Sequence, residues 1–486
     1  MKNANLFLKR HCIAVMLFFL IPLQFISSQD KLGQTIPVDE KIRIGKLENG
    51  LTYYIRKNEK PENRVELRLA VNAGSVLENE DQQGLAHFNE HMAFNGTKNF
   101  AKNDLVKYLQ SVGVQFGPEI NAYTSFDETV YMLTLPTDSA HILEQGFQIM
   151  EDWAHNLSFE PSEIDKERGV IVEEWRLGQG PFQRMQEKYI PVLFEGSQYA
   201  KRLPIGKKEI IEGAPYETIK KFYYDWYRPD LMAFLVVGDI DPDAVEKSIR
   251  EHFGRLNMPE NPRPRESFKV PDHPGTAVVV ASDKESPYTI VQIACKTDPL
   301  EQRLEKDYRE GLAIQLVSTM LNQRFEELKE QANPPLLYSM VQFGSLGTRE
   351  KSAMQLAGLV PETGIEAGVN ALVTEMERAV RFGFTEGELA RQKKQFYSSF
   401  EKAYNERDKT ESEQLVSEYI RNFLTGEPIP GIEYEFGFVK EYLDGISLSE
   451  INDIARRMLS RDNRVVIVMG PLKEGVILPG NEQVMA

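Results

Sequence analysis

Cysteine is almost absent from this 486-residue chain, and its scarcity removes disulfide chemistry from consideration. Only Cys12 and Cys295 occur. Cys12 lies inside an apolar run, residues 12–26, that follows Lys2, Lys9 and Arg10 and precedes Ser27 and Ser28. That order reads as an export signal, residues 1–28, cleaved near Ser28. The run is short for a membrane span, so no stable membrane anchor is expected after cleavage. Cleavage leaves Cys295 alone and unable to form an intrachain bridge, even in the oxidising, periplasmic location that export predicts. Cys295 ends the apolar stretch 291–295 and reads as a small core residue. An excess of positive charge is also lacking: 57 Lys and Arg face 73 Asp and Glu, a net charge of −16. A basic face for nucleic acid is therefore not expected, whereas cationic peptides are compatible.

What is present is ordinary for a soluble globular protein, 41% hydrophobic and 27% charged residues. The length predicts more than one domain. The informative stretch is 84–96, G-L-A-H-F-N-E-H-M-A-F-N-G, which contains H-x-x-E-H as His87, Glu90 and His91. Two histidines four apart share one helix face, so both imidazoles can reach one metal ion. Glu90 projects beside that face, where it can take a proton from water activated at the metal. Leu85, Ala86, Phe88, Met92, Ala93 and Phe94 supply apolar contacts, Asp81 is the expected N-cap, and Asn95-Gly96 the expected stop. A histidine on an apolar helix is more often a packed core residue, so the motif needs support from the rest of the chain.

That support comes in order. Residues 44–56 read as a strand pair turning at Asn49-Gly50, and 65–71 as a further strand. Residues 103–112 form an amphipathic helix. In the stretch 120–136 the second part is a β-branched, apolar run and reads as a strand, and the more polar first part suits an exposed edge. Helices are predicted over 138–156, 161–176, 215–227 and 241–256, with a strand at 231–237. In the helix 161–176, Glu167 and Glu174 are seven apart on one face, and a carboxylate there could complete a His, His, Glu set. Residues 258–275 hold five prolines and read as an interdomain linker. Beyond it, strands are predicted at 289–295, 339–343, 354–359 and 464–470, and helices at 308–329, 364–382, 385–423 and 447–459. The closing helix, Arg461-Asp462-Asn463 and strand mirror the helix, Arg228-Pro229-Asp230 and strand of the first part. Two copies of one α+β unit are expected. The expected domains are 35–257, carrying the histidines, and 276–472, with 473–486 as a tail or connector.

Taken together, the H-x-x-E-H, the following Met-Ala-Phe-Asn-Gly-Thr, the stretch Asn121-Ala122-Tyr123-Thr124-Ser125 and the run from Glu167 to Glu174 resemble the pitrilysin/insulinase family of zinc metallopeptidases. The resemblance covers about residues 41–471. It implies two repeated α/β-sandwich domains of the pitrilysin and mitochondrial processing peptidase type, each a mostly antiparallel sheet packed with helices. It implies one Zn2+ per chain held by His87, His91 and Glu174, with Glu90 as general base. Glu167 would orient a ligand, because the family places a supporting Glu seven residues before the ligand Glu; the rival Glu173 has no such partner. Asn121, Ala122 and Tyr123 would lie on the edge strand that pairs substrate backbone. The family also places an Arg and a Tyr, seven apart, opposite the zinc. Here Tyr338 is preceded seven residues earlier by Gln331 and nine earlier by Lys329, a departure from that pattern.

The expected function is a zinc endopeptidase acting on peptides or unfolded segments. The chain resembles the first half of a long exported bacterial member, so a second-half peptidase chain or a homodimer is the expected partner. The alternative is a non-catalytic peptide-binding or partner subunit; such members lose a ligand or the base, and here all are present. A processing peptidase for precursors is a narrower form of the first reading.

Overall fold

The computed structural model describes residues 32–115, 117–361 and 364–485. The export signal expected at 1–28 lies outside them. Eleven strands among these residues form two sheets with one plan.

The first sheet contains β1 (Arg43–Lys46), β2 (Thr52–Lys57), β3 (Arg64–Val71), β4 (Ile120–Thr124), β5 (Thr129–Pro136) and β6 (Met232–Gly238), in the order β1-β2-β6-β3-β5-β4. The second contains β7 (Thr276–Asp283), β8 (Thr289–Thr297), β9 (Tyr338–Thr348), β10 (Lys351–Val360) and β11 (Arg464–Pro471), in the order β7-β11-β8-β10-β9. In each sheet one parallel pair, β2 with β6 and β7 with β11, adjoins an antiparallel run. Set side by side, β2, β6, β3, β5 and β4 correspond to β7, β11, β8, β10 and β9. The repeat anticipated from the sequence is therefore present strand for strand, with β1 added by the hairpin at Gly50, whose φ is +100°. β7 was not anticipated, because it begins directly after the proline-rich stretch.

The helices are α1 (Leu85–Met92), α2 (Lys102–Ser111), α3 (Ala140–His155), α4 (Pro161–Gly178), α5 (Pro181–Leu193), α6 (Lys208–Gly213), α7 (Tyr216–Trp226) and α8 (Pro242–Phe253). Then follow α9 (Glu305–Lys329), α10 (Ile365–Phe382), α11 (Glu386–Asn405), α12 (Ser412–Thr425), α13 (Ile432–Tyr442), α14 (Leu448–Met458) and α15 (Asn481–Met485). The single helix expected over 385–423 is two. The break is made by tertiary contacts: the Ser412 N–H and hydroxyl both donate to the Lys60 carbonyl at 2.7 Å, and Asn58 Nδ2 donates to the Thr410 carbonyl at 3.0 Å.

Each sheet has one face covered by the other unit. Val416, Tyr419 and Ile420 of α12 pack on Ala70, Val130, Leu235 and Val237 of the first sheet. Ile190 and Leu193 of α5 share a core with Ala281, Ala294, Val465 and Ile467 of the second. Fully burying side chains of this size is worth about 1.5–3 kcal/mol each, so the exchange of helices ties the units together strongly. The remaining core of the first unit is aromatic: Trp153, Trp226, Tyr131, Tyr223 and Phe147 are all buried. Residues 258–275 carry no helix or strand and lie along the first unit, where the Arg263 and Phe268 carbonyls accept from Arg228 and Ser197.

Candidate metal centre

An eight-residue helix is too short to be stable by itself, and α1 is fixed at both ends. Asp81, the expected N-cap, sits in a 3₁₀ turn, Glu80–Gln82, and does not cap the helix. Glu78 does so from further upstream: its Oε1 accepts the Gly84 N–H at 3.0 Å and the Ala86 N–H at 2.8 Å. These amides are among those a helix start leaves without partners, and a carboxylate there also suits the helix dipole. Burial pushes the Glu78 carboxyl up to about 8, against those amide bonds. At the other end, Trp153 Nε1 donates to the Ala93 carbonyl at 2.9 Å. Asn89, fully buried, donates to the Leu85 carbonyl and to the Ile219 carbonyl of α7 at 3.1 Å.

The helix so held presents His87 and His91 with Nε2 atoms 3.2 Å apart. Glu174 arrives from α4: its carboxylate lies 3.7 Å from His87 Nε2 and 3.3 Å from His91 Nε2. A tetrahedral zinc with bonds of about 2.0–2.1 Å separates its ligands by about 3.3–3.4 Å, so the three donors have the spacing that a cation between them requires. Among the described residues they are the one group of three or more His, Cys, Asp or Glu side chains close enough to hold a metal. Two imidazoles and a carboxylate also match zinc in ligand chemistry.

Glu167, one turn pair earlier on α4, is buried behind His91. Its Oε1 faces His91 Nδ1 at 2.8 Å and its Oε2 accepts Asn95 Nδ2 at 2.7 Å. A neutral His91 that donates its Nδ1–H to Glu167 carries its lone pair on Nε2, facing His87 and Glu174. His87 Nδ1 is buried and has no hydrogen-bond partner among the described residues. The rival Glu173 points elsewhere, paired with Arg176 at 2.5 Å.

The charges of the group are interdependent. Burial, then the neighbouring His91, lower the His87 pKa. Burial also disfavours charge on His91, but hydrogen bonds to Glu167 and Glu174 outweigh it and raise the pKa. Glu174 is held below the usual carboxylate range, chiefly by His91. Two imidazoles this close cannot both carry protons on facing nitrogens, and one shared cation removes the conflict.

Glu90 faces the same cavity, of about 680 Å³, together with Asn121, Ala122, Tyr123 and Thr124 of β4. It is buried, and burial raises its pKa against a 2.6 Å hydrogen bond from the Thr124 hydroxyl. β4 is the free edge of the first sheet. Hydrogen bonds from Thr134 to Glu119 and from Ser125 to Glu128 fix the alternation along it, so Asn121 and Tyr123 pair with β5 while Ala122 turns its N–H and carbonyl outward. Among the described residues the Ala122 N–H is met by its neighbour's side chain alone, Asn121 Oδ1 at 2.9 Å. Of the three residues expected on the edge, Ala122 is thus the one with backbone groups available for an added strand.

Tyr338 lies more than half exposed at the start of β9, with Lys329 Nζ 5.6 Å above its ring, and Gln331 follows α9 in a loop. The sequence reading missed Glu78, Asn95 and Thr124, which hold the start of α1, the Glu167 carboxylate and the Glu90 carboxylate. Asn95 was legible only as a helix stop, and the other two act across the fold.

Residues 53–188 match the profile described as "Insulinase (Peptidase family M16)" and residues 214–396 match "Peptidase M16 inactive domain". A protein of Arabidopsis thaliana named "Zinc protease PQQL-like" is 35% identical over 434 residues, 89% of this chain and 42% of that protein. "Probable zinc protease PqqL" of Haemophilus influenzae is 28% identical over 96% of this chain and 50% of its own length. The chain thus spans about half the length of these curated relatives. The solved structure of the first half of the periplasmic protease PqqL from Escherichia coli superposes with a TM-score of 0.84 at 26% identity, covering 93% of this chain and 94% of that one. Against the structure of that whole protease, the chain covers 48%. Among the described residues no helix is long and apolar enough to cross a membrane. The chain belongs to the insulinase family of peptidases, family M16.

Proposed function

We propose that this chain is the zinc-bearing half of an exported, periplasmic metalloendopeptidase that cleaves peptides or unfolded protein segments. The observation that carries the reading is the convergence of His87 Nε2, His91 Nε2 and the Glu174 carboxylate on one point, with Glu90 on the same cavity wall. The donor set suits zinc, which when bound supplies Lewis acidity toward a peptide carbonyl and toward water. Glu167 holds His91 in the tautomer that leaves Nε2 free to bind. An extended substrate adds to the edge of β4, its backbone pairing with the Ala122 N–H and carbonyl. Such pairing reads main chain more than side chains, which suits unfolded segments. Glu90 accepts the proton of the attacking water and delivers it to the leaving amine nitrogen; burial, which raises its pKa, makes the carboxylate a better proton acceptor.

Turnover requires a second half, as a separate chain, a further portion or a second copy. The likeness to the first half of a longer protease supports this. The periplasmic location rests on the basic and apolar N-terminus and on the description of the Escherichia coli relative.

The test is metal content together with Glu90→Gln. The purified chain binds one zinc, and E90Q keeps it while peptide turnover, assayed with the second half present, falls by about 10²–10⁴-fold. Full turnover in E90Q removes Glu90 from the role of base. A chain that binds peptide but neither metal nor turns over would instead be a partner subunit.

A further inference from the structure

The edge strand β4 is short, yet the reading above asks it to seat both substrate and base. What fixes it is the turn that follows, Ser125 to Glu128, and that turn is gripped from two sides. On one side the N–H groups of Ser75 and Val76 donate to the Ser125 and Phe126 carbonyls at 3.1 and 2.9 Å. The approach there is so close that a Cβ on Gly74 would stand 2.4 Å from the Ser125 carbonyl oxygen. On the other side the grip comes from the second unit. Arg349, in the hairpin between β9 and β10, donates its backbone N–H to Asp127 Oδ2 at 3.1 Å. Its guanidinium donates to the Asp127 carbonyl at 3.2 Å, to Glu128 Oε2 at 2.9 Å and to Asn72 Oδ1. Asp127 is buried and also accepts from the Tyr199 hydroxyl at 2.8 Å and from Arg265 at 3.2 Å. The residue just before the turn is Thr124, whose hydroxyl donates to Glu90.

We propose that Arg349 is a positioning residue for the reaction: the second unit reaches across to pin the turn after β4, and so sets where Thr124 holds the Glu90 carboxylate. Among the described residues the group of His87, His91 and Glu174 draws on the first unit alone, and the clasp gives the second unit a direct part in ordering the site. A guanidinium suits the task because its planar fork aims N–H donors in fixed directions at a carboxylate, a carbonyl and an amide, whereas an ammonium is a compact point charge on a flexible stem. The clasp also explains why the hairpin tip is built to approach the first sheet: Gly347, at φ +84°, turns the chain just before Arg349. The proposal rests on the peptidase reading above.

The test is a double-mutant cycle on the zinc-loaded protein, with its second half present. Arg349→Met lowers kcat by about tenfold or more, since small misplacements of reacting groups are costly, while zinc content stays at the wild-type value. Arg349→Lys keeps the charge without the fork and loses a smaller factor. In a Thr124→Val background the same Arg349→Met change costs less than twofold, because the path through Thr124 is already cut. Arg324→Met serves as control: Arg324 pairs with Glu388 at 2.7 Å inside the second unit, and its loss leaves kcat unchanged. Wild-type kcat in either Arg349 variant, an equal loss with and without Thr124, or an equal loss in Arg324→Met overturns the proposal. Absent zinc or a fully active E90Q would instead sink the peptidase reading itself.

Discussion

Glu167→Gln tests the second layer of the metal centre without changing its shape. Glu167 serves two donors, His91 Nδ1 at 2.8 Å and Asn95 Nδ2 at 2.7 Å, one on each carboxylate oxygen, and only 6% of the residue is exposed. A glutamine offers one oxygen and one NH2, so whichever way the amide is turned, one donor faces another in a dry site. If the oxygen goes to Asn95, the His91 Nδ1–H loses its acceptor and the imidazole its orientation. The negative charge that makes Nε2 a better ligand is lost in either arrangement. Partners of this kind cost about 10–100-fold in metal affinity, or about 1.4–2.8 kcal/mol. Zinc affinity measured by competition with a chromophoric chelator at neutral pH should weaken by that factor in E167Q. Glu173→Gln is the matched control, since Glu173 is solvent-facing and paired with Arg176; its zinc affinity stays at wild type. Equal affinity in wild type and E167Q would refute the reasoning, as would an equal loss in E173Q.

Three further outcomes are expected. Ala122→Pro removes an N–H that the β4–β5 ladder does not use, so the melting temperature should change little while KM for an extended peptide rises about tenfold, one lost hydrogen bond; unchanged KM would place substrate pairing elsewhere. Gly74→Ala drives a Cβ into the turn after β4 and should cost about 1–3 kcal/mol in denaturant unfolding, which an unaltered midpoint would contradict. His252→Ala tests a pH dependence. Burial opposes charge on His252, but hydrogen bonds to Glu151 and Glu144 win and raise its pKa above 6.5. Its contribution is therefore complete below the unfolded value and is lost as pH rises through the folded one. The substitution should cost more at pH 6 than at pH 9, by up to about 1.5–3 kcal/mol for a lost charged hydrogen bond, since Arg255 still pairs with Glu151; equal losses at both would show that the pair is not charged.

How much of this was legible in the sequence depended on whether a signal was local. The H-x-x-E-H spacing and the Glu167 to Glu174 interval are periodicities of a helix, and they led to groups that the fold brings together. β6 was legible as an apolar run and β11 as a β-branched one, and the matched helix, turn and strand endings revealed the repeat. β7 was hidden because its neighbours are prolines, and α5 because it carries Pro191 inside. The break between α11 and α12 has no glycine or proline to announce it; Asn58 and Lys60, far away in sequence, impose it. Glu78 caps α1 from outside the usual capping position, so Asp81, nearer in sequence, was the natural but incorrect choice. Thr124 reaches Glu90 and Arg349 reaches Asp127 only through the pairing of edge and hairpin, which no local pattern encodes.

The most direct measurement is zinc-edge anomalous diffraction from crystals of the zinc-loaded chain. The account predicts one strong peak bonded to His87 Nε2, His91 Nε2 and a Glu174 oxygen at about 2.0–2.2 Å, with Glu167 on His91 Nδ1 and Glu90 unbound to the metal. A peak held by other side chains, or none at these three, would contradict it.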